Sequence, residues 1–215
     1  NQQAWASLER VFFHDINNLL NGLVGASELL PPDNTGYNLV KTIQQLVQGL
    51  TKEIEIQNFL SQSKTASYQM VFHQIAVFEV MQKLHTFFEN HPVSKEKILV
   101  FPQQIPNVSI NTDCTLLLKV LTNMVINAFE ATEPGGEVKI GINEGAKNIA
   151  FTVWNRQPIP EHVRLRIFQR HFSTKQGSGR GIGTFSMKLF GEDFLKGTID
   201  FTSSADDGTL FTFTL

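Results

Sequence analysis

Near the start of the chain, one short stretch brings together residues that could do chemistry. FFHDINNLL, at positions 12–20, holds a histidine, an acid and two asparagines: His14, Asp15, Asn17 and Asn18. Imidazole is a common nucleophile and general base in enzymes. Either this polar cluster is the solvated face of a helix, or His14 takes part in a reaction.

A second candidate site lies in NMVINAFEA, where Asn123 and Asn127 are four residues apart. At that spacing two side chains share one face of a helix. Their amide oxygens could hold a hydrated Mg²⁺ ion beside phosphate groups. An ordinary polar helix face would produce the same pattern, so the spacing alone leaves both interpretations open.

The third candidate is the glycine-rich stretch KQGSGRGIGTF, which precedes a predicted helix over 184–194. Its glycines alternate at positions 177, 179, 181 and 183. Glycine lets backbone N–H groups approach phosphate oxygens, and a helix N-terminus adds its positive end. Because the stretch does not follow a strand, a dinucleotide-binding fold is not indicated.

Just before these glycines, IFQRHFSTK has the composition of a movable segment with apolar anchors. Phe168 and Phe172 are the expected anchors, and Lys175 is a cation able to reach a ligand. The order of the two stretches predicts a lid over bound phosphates.

The elements that must position these residues begin with a helix over residues 3–30. Its apolar residues fall in a stripe about 80° wide, and His14 lies about 200° from Phe12, away from that stripe. Residues 31–36 end this helix, and a second amphipathic helix follows over 37–64. Because a single helical hairpin leaves apolar surface exposed, two copies are expected to pair as a four-helix bundle. The sequence thus predicts a homodimer through residues 1–66.

After a short linker at 64–67, the pattern changes to mixed helices and strands. Asp113 can cap a long helix that runs to about residue 132, where a proline and two glycines follow. A further helix is predicted over 77–91. Alternating apolar residues predict strands over 70–75, 98–101, 108–110, 138–142, 149–154, 198–202 and 209–215. This irregular order favours an α+β sandwich over residues 67–215.

Composition narrows the possible functions. The chain has 215 residues and a formal net charge of −2, so neither a nucleic-acid nor a membrane partner is indicated. Its single cysteine, Cys114, excludes a disulfide framework and fits a reducing cytosol. No continuous run of about 18 apolar residues is visible. The chain begins with Asn1 rather than methionine, which we interpret as a fragment of a longer protein.

Taken together, these stretches resemble the ordered motifs of two-component sensor histidine kinases, over nearly the whole chain. FFHDINNLL resembles the phosphoacceptor motif, NMVINAFEA the asparagine motif, IFQRHFSTK the phenylalanine motif and GSGRGIG the second glycine motif. The variants look most like kinases of the nitrogen-regulation sensor type. The resemblance implies a dimerisation and phosphotransfer domain over 1–66. It also implies an ATP-binding catalytic domain over 67–215, with the fold shared by gyrase and the Hsp90 chaperone.

The same resemblance implies a role for each residue. His14 would accept the phosphoryl group from ATP, Asp15 would hold or take up a proton of its ring, and Asn18 would orient water to dephosphorylate the partner. Asn127 would bind Mg²⁺. The nucleotide site would comprise Asn123, Asn127, Asn155, Lys175, Gly179, Arg180, Gly181, Gly183 and Thr209. The implied partner is a response-regulator receiver domain, and the implied location is the cytoplasm, as part of a membrane-bound sensor.

Two positions depart from the family's pattern. Leu19 stands where the acceptor motif often has proline, and VWNRQPIP stands in place of the first glycine motif. There Asn155 replaces an aspartate that would accept a hydrogen bond from the adenine amine. A charged acceptor binds more strongly than a neutral one, so Asn155→Asp is expected to tighten ATP binding up to about tenfold. The alternative interpretation is a non-catalytic histidine-phosphotransfer or scaffold dimer with a degenerate ATP-binding domain.

Overall fold

A five-stranded sheet with helices packed on it forms the centre of the computed structural model, which describes residues 70–89, 91–169 and 183–215. Met70–Phe168 and Gly183–Leu215 make up one compact unit. Its elements are β1 (His73–Ala76), α1 (Val77–Glu89), β2 (Ile98–Val100), β3 (Ser109–Thr112), α2 (Cys114–Ala131), β4 (Glu137–Glu144), β5 (Ile149–Asn155), α3 (Glu161–Arg164), α4 (Gly183–Lys188), β6 (Thr198–Ser204) and β7 (Gly208–Thr214). The helical hairpin predicted over residues 1–66 lies outside the described residues.

Helix α2 forms where the sequence predicts it, because both of its ends carry clear signals. The side chain of Asp113 accepts hydrogen bonds from the backbone N–H groups of Thr115 and Leu116, at 3.0 and 3.1 Å. At the other end the Thr132 hydroxyl donates to the Ala128 carbonyl, at 2.7 Å. Between these caps the buried residues recur in pairs, every three or four positions: Leu116, Leu117, Val120, Leu121, Met124, Val125, Ala128 and Phe129. This wide apolar face places α2 in the core, packed on β5, β4 and α4.

By length and composition alone, α2 could also cross a membrane, with 18 residues and a mean hydropathy of 1.3. The apolar face that produces this value is the one buried against the sheet and α4. Lys119 and the two asparagines interrupt the apolar run. The hydropathy of α2 is therefore accounted for by its position in the protein core.

The large sheet has the strand order β2-β4-β5-β7-β6. Strand β2 runs parallel to β4, and every other neighbouring pair in this sheet is antiparallel. Both predicted hairpins are confirmed: the N–H of Gly145 donates to the Asn148 carbonyl in the first turn, and residues 205–207 make the second. A separate antiparallel pair, β1 with β3, places Ile75 opposite Ile110. The predicted α+β architecture is confirmed for the described residues.

One predicted element needs correction. The helix expected over 184–194 begins as α4 at Gly183 but continues as a π-helix over Leu189–Phe194. There the N–H of Leu195 donates to the Phe190 carbonyl, five residues back. Within the π-helix, Gly191 lies so close to the sheet that a Cβ would be 2.7 Å from Ile199 and 3.0 Å from Phe213. The wider turn accompanies this close approach, which periodicity along the helix does not encode.

Two short elements were not predicted from the sequence. A 3₁₀-helix spans Pro92–Ser94, and α3 covers a single turn. The side chain of His91 accepts a hydrogen bond from the Val93 N–H and so caps the 3₁₀-helix. Strand β1 also begins at His73 rather than at residue 70. Elements this short contain too few residues for periodicity to reveal them.

Candidate functional site

Two asparagines on α2 face the start of α4. The Nδ2 group of Asn123 donates a hydrogen bond to the Ser186 hydroxyl, at 3.2 Å. That hydroxyl also donates to the Gly183 carbonyl, at 3.1 Å. Asn123 is thereby tied to the first turn of α4 by its nitrogen. Its amide oxygen is the end that can act toward a ligand.

Asn127, one turn further along α2, lies directly beside Gly183. A Cβ placed on Gly183 would be 3.1 Å from Oδ1 of Asn127 and 3.4 Å from Nδ2. The Nδ2 atom is buried, and it has no hydrogen-bond partner among the described residues. Leaving a buried amide group unpaired costs free energy, so such groups are rare in native structures. This unsatisfied amide next to a glycine fits a position that completes its hydrogen bonds with a bound ligand.

A second polar cluster lies where β5 and β7 pair. Asn155 and Thr209 are opposite one another in the register, and both are buried, at 3% and 2% exposure. Nδ2 of Asn155 donates to the backbone carbonyl of Gln157 at 3.3 Å and to its side-chain Oε1 at 3.4 Å. The Thr209 hydroxyl donates to the same backbone carbonyl, at 2.7 Å. The register of the sheet brings the two predicted residues together, and Gln157 joins them.

Gly208 makes this arrangement possible. Its φ is +79°, and a Cβ there would lie 2.4 Å from the Asn155 carbonyl oxygen and 3.0 Å from the backbone of Arg156. Glycine is the residue that adopts this conformation at such close approach without strain. The start of β7 therefore packs tightly against the end of β5.

Trp154 and Arg156, on either side of Asn155, hold the neighbouring turn rather than the site. The indole N–H of Trp154 donates to the Asp207 carbonyl at 2.6 Å, and Arg156 donates to the Asp206 carbonyl. The Lys139 ammonium lies over the Trp154 ring, 4.7 Å from a ring centroid. These contacts assign both side chains to the β6–β7 turn.

The structure describes residues 167–169 of the predicted lid segment, and Phe168 is the expected apolar anchor among them. Its ring packs edge-on against Phe201 and Phe211, with centroids 5.9 and 6.3 Å apart. The Lys188 ammonium lies 5.0 Å from the centroid of the same ring. Phe168 is thus an apolar anchor on β6 and β7, as the sequence predicts.

The remaining predicted site residues lie outside the described residues. They are His14, Asp15, Asn18, Lys175, Gly179, Arg180 and Gly181, together with the second anchor, Phe172. Their roles stay predictions.

Sequence analysis did not identify Ser203 or Gly208 as members of the site, and it included Gln157 only in the stretch VWNRQPIP, without its link to Asn155 and Thr209. The Ser203 hydroxyl lies 2.8 Å from the Thr209 hydroxyl, and it accepts a hydrogen bond from the Ile159 N–H at 2.7 Å. The pairing of β6 with β7, which places Ser203 opposite Thr209, is the signal that could have found it.

The described part of the chain contains no cluster of three or more histidine, cysteine, aspartate or glutamate residues that could hold a metal ion. A cation beside Asn127 would therefore depend on amide oxygens and on ligand phosphates, which suits Mg²⁺. Burial raises the pKa of Cys114. The nearby charge of Lys83 lowers it, and the negative charges of Asp113 and Glu79 raise it further. Its thiol is accordingly protonated and unreactive at neutral pH.

Comparison with known proteins gives a family match for the C-terminal part of the chain. Residues 112–215 match the family described as histidine kinase-, DNA gyrase B-, and HSP90-like ATPase. Heme sensor protein HssS of Staphylococcus aureus is 29% identical over 182 residues, covering 83% of this chain and 38% of HssS. The chain thus spans about two fifths of the length of the curated relatives it matches.

Solved structures show the same fold. The catalytic domain of histidine kinase ThkA is 28% identical with a TM-score of 0.60, covering 68% of this chain and 95% of that domain. Acinetobacter baumannii histidine kinase AdeS, at 18% identity, has a TM-score of 0.63 and covers 96% of this chain and 95% of its own. The AdeS likeness supports the fold alone.

Proposed function

We propose that this protein is an ATP-dependent protein-histidine kinase core. The premise is that residues 112–215 form a histidine kinase-type ATP-binding domain in a chain homologous to sensor histidine kinases. It transfers the γ-phosphoryl group of ATP to His14 and then to an aspartate of a response regulator. The observation that carries the proposal is the buried, unsatisfied amide of Asn127 beside Gly183.

The nucleotide site follows from the described contacts. Asn127 binds the phosphate end through its amide and would hold Mg²⁺, which neutralises developing charge on the phosphates when bound. Asn123, fixed by Ser186, presents its oxygen beside it. The proposal extends this phosphate cradle to Lys175, Gly179, Arg180, Gly181 and Gly183. Asn155 and Thr209 bind the base.

The phosphoryl acceptor chemistry rests on the N-terminal stretch. A neutral His14 ring would attack the γ-phosphorus through one nitrogen, while Asp15 accepts the proton or a hydrogen bond from the other. The bond from the γ-phosphorus to the bridging oxygen breaks, and ADP leaves with its electron pair. Asn18, four residues further along the chain, would orient water for dephosphorylating the partner. Asn123 carries no carboxylate and cannot act as a base toward water, which favours transfer to His14 over free hydrolysis.

The partner is proposed to be a receiver domain, and the homodimer is proposed to form through residues 1–66. In support, ThkA has been solved in complex with the response regulator protein TrrA. The motif variants support the nitrogen-regulation sensor type. This part of the protein would act in the cytoplasm, as part of a membrane-bound sensor, and its residues would contact neither nucleic acid nor the membrane directly.

A second function has one observation in its favour. Asn155 and Gln157 stand in place of the first glycine motif, so the base-binding end could have degenerated and left a phosphotransfer or scaffold dimer. Against this, the buried polar groups of Asn155 and Thr209 remain hydrogen-bonded, as expected of a maintained site. We therefore favour the kinase.

Labelling with γ-labelled ATP tests the proposal. His14→Ala is expected to abolish acid-labile label while nucleotide binding persists, because the phosphorus acceptor is removed and the ATP-binding domain is untouched. His162→Ala, which removes an exposed histidine on α3, is the matched control and should label normally. Label that persists in His14→Ala would place the acceptor elsewhere, and absence of nucleotide binding by the unaltered chain would favour the scaffold.

A further inference from the structure

The side-chain amide of Asn155 has a defined orientation. Both described hydrogen bonds of its Nδ2 group go to Gln157, one to the backbone carbonyl and one to Oε1. No hydrogen bond among the described residues uses Oδ1 of Asn155. Because nitrogen is turned toward Gln157, the oxygen is the end left to meet a ligand.

The backbone carbonyl of Gln157 is held in place by its surroundings. Pro158 follows it, and the residue before a proline is restricted to an extended conformation. The two hydroxyl groups behind it have defined donor directions. The Thr209 hydroxyl donates to the Gln157 carbonyl, so its oxygen accepts from the Ser203 hydroxyl, and the Ser203 oxygen accepts from the Ile159 N–H. This directional chain ends on the Gln157 carbonyl, whose oxygen accepts from Thr209 and has a second lone pair that accepts from Nδ2 of Asn155.

We propose that Gln157 is a positioning residue: it holds Nδ2 of Asn155 so that Oδ1 is presented to the ligand as a hydrogen-bond acceptor. The inference rests on the proposed nucleotide-binding function and specifies its base preference. A base with an exocyclic amine, such as adenine, donates to Oδ1. A base with a carbonyl at that place, such as hypoxanthine, would place its carbonyl oxygen against Oδ1 of Asn155, and two acceptors cannot form a hydrogen bond.

A consequence is that Asn155 and Gln157 act as a unit. A carboxylate at position 155 would place an oxygen against the backbone carbonyl oxygen of Gln157, which cannot turn away and to which the amide now donates. The gain expected from Asn155→Asp on charge alone is therefore reversed. A glycine at position 157 removes Oε1 and relaxes the peptide before Pro158, which makes room for the carboxylate.

A double-mutant cycle on the full chain tests the coupling. Titration calorimetry would measure ADP and inosine diphosphate binding to the unaltered protein, Asn155→Asp, Gln157→Gly and the double variant, with exposed Gln104→Gly as control. We expect the unaltered protein and the control to prefer ADP by about tenfold, and Gln157→Gly to lose most of that preference. Asn155→Asp alone should weaken ADP binding about tenfold, and the double variant should recover it. Tighter ADP binding by Asn155→Asp alone, or additive effects, would overturn the proposal.

The pH dependence of Asn155→Asp separates positioning from general damage. An acid buried against the Gln157 backbone carbonyl oxygen has a raised pKa, and its protonated form can donate to that oxygen as the amide does. Its ADP-binding deficit relative to the unaltered protein should therefore shrink from pH 8 to pH 6. A deficit that is constant over this range would contradict positioning by Gln157.

A measurement without nucleotide keeps the inference distinct from the proposed function. Nuclear magnetic resonance can follow exchange of the Asn155 side-chain amide hydrogens with solvent. We expect that exchange to quicken about tenfold in Gln157→Gly and to stay unchanged in Gln104→Gly, because only the first loses the hydrogen bond to Oε1. Equal exchange in all three proteins would refute positioning. If no form binds nucleotide, the kinase proposal fails, and this exchange measurement still decides the role of Gln157.

Discussion

At the scale of single residues, Gly183 explains how the phosphate end of the site is built. Its missing side chain lets the amide of Asn127 lie against the first turn of α4, where a Cβ would be 3.1 Å from Oδ1. The backbone of Asn127 is part of α2, so an added Cβ at position 183 would be accommodated by a small shift of the Asn127 side-chain amide. Glycine at position 183 thus matters for the proposed site because it leaves room for the Asn127 amide.

Gly183→Ala should weaken Mg²⁺-dependent ATP binding, by about threefold to tenfold, with little change in thermal stability. The physical reason is that the new Cβ displaces the Asn127 amide by a few tenths of an ångström. Titration with a non-hydrolysable ATP analogue measures the effect.

Gly145→Ala, in the β4–β5 turn, is the control for this substitution. Its Cβ meets chiefly the end of the Asn148 side chain, so nucleotide binding should be unchanged. Equal affinity of Gly183→Ala and the unaltered protein for the ATP analogue would contradict the placement of Asn127 in the proposed phosphate site.

At the scale of elements, Asp113 connects the large helix to the strand pair. Oδ1 caps α2, while Oδ2 accepts a hydrogen bond from the Val71 N–H at 3.0 Å, just before β1. Asp113→Ala should lower the free energy of unfolding by about 2–3 kcal/mol, because it removes a helix cap and leaves buried N–H groups unpaired.

Asp113→Asn divides this effect into its two parts. Asparagine caps helices as well as aspartate, but its NH₂ group cannot accept from Val71. Its cost should be about 1 kcal/mol by urea denaturation, less than that of alanine. Equal costs for the two variants would mean that the link to Val71 contributes nothing.

Two glycines with positive φ offer a second test at this scale: Gly208 at the start of β7, and Gly135 in the turn between α2 and β4. Gly208→Ala adds both backbone strain and a Cβ that would lie 2.4 Å from the Asn155 carbonyl oxygen. Gly135→Ala, with φ +81° and nothing within 4 Å of its Cβ, adds strain alone. Unfolding should show a loss of about 1 kcal/mol for Gly135→Ala and at least about 3 kcal/mol for Gly208→Ala. Similar losses would show that β5 yields to the new methyl group.

At the scale of the whole molecule, the described unit carries its own core. Large buried side chains come from both the helices and the sheet: Leu84, Leu116, Leu117, Leu121, Met124, Phe129, Phe151, Met187 and Phe213. We therefore expect residues 67–215 to fold alone as a monomer. Residues 1–66 are expected to dimerise alone, since their apolar stripes require a partner.

Sedimentation of the two fragments measures both expectations. A monomeric fragment 1–66 would contradict the predicted bundle. A dimeric fragment 67–215 would indicate an interface within the ATP-binding domain. The division between 66 and 67 stays a prediction until such fragments are compared.

The sequence by itself determined those features that depend on neighbouring residues. The cap at Asp113, the turn after residue 132 and both hairpins are encoded within a few positions, so propensity and periodicity identify them. The pairing of Asn123 with Asn127 on one helix face is local in the same way. The ATPase domain was recognisable because its motifs are short, ordered stretches of chain.

Only the tertiary structure decided which distant residues meet. Asn123 reaches Ser186 across 63 positions, and Thr209 reaches Gln157 across 52. Strand register and helix packing set these contacts, and neither is written in any one window of sequence. The sequence indicated only that Asn155 is a weaker acceptor than aspartate, because its amide carries no charge. The fold showed where the nitrogen of that amide goes: it donates to Gln157, a contact that no pattern along the chain encodes.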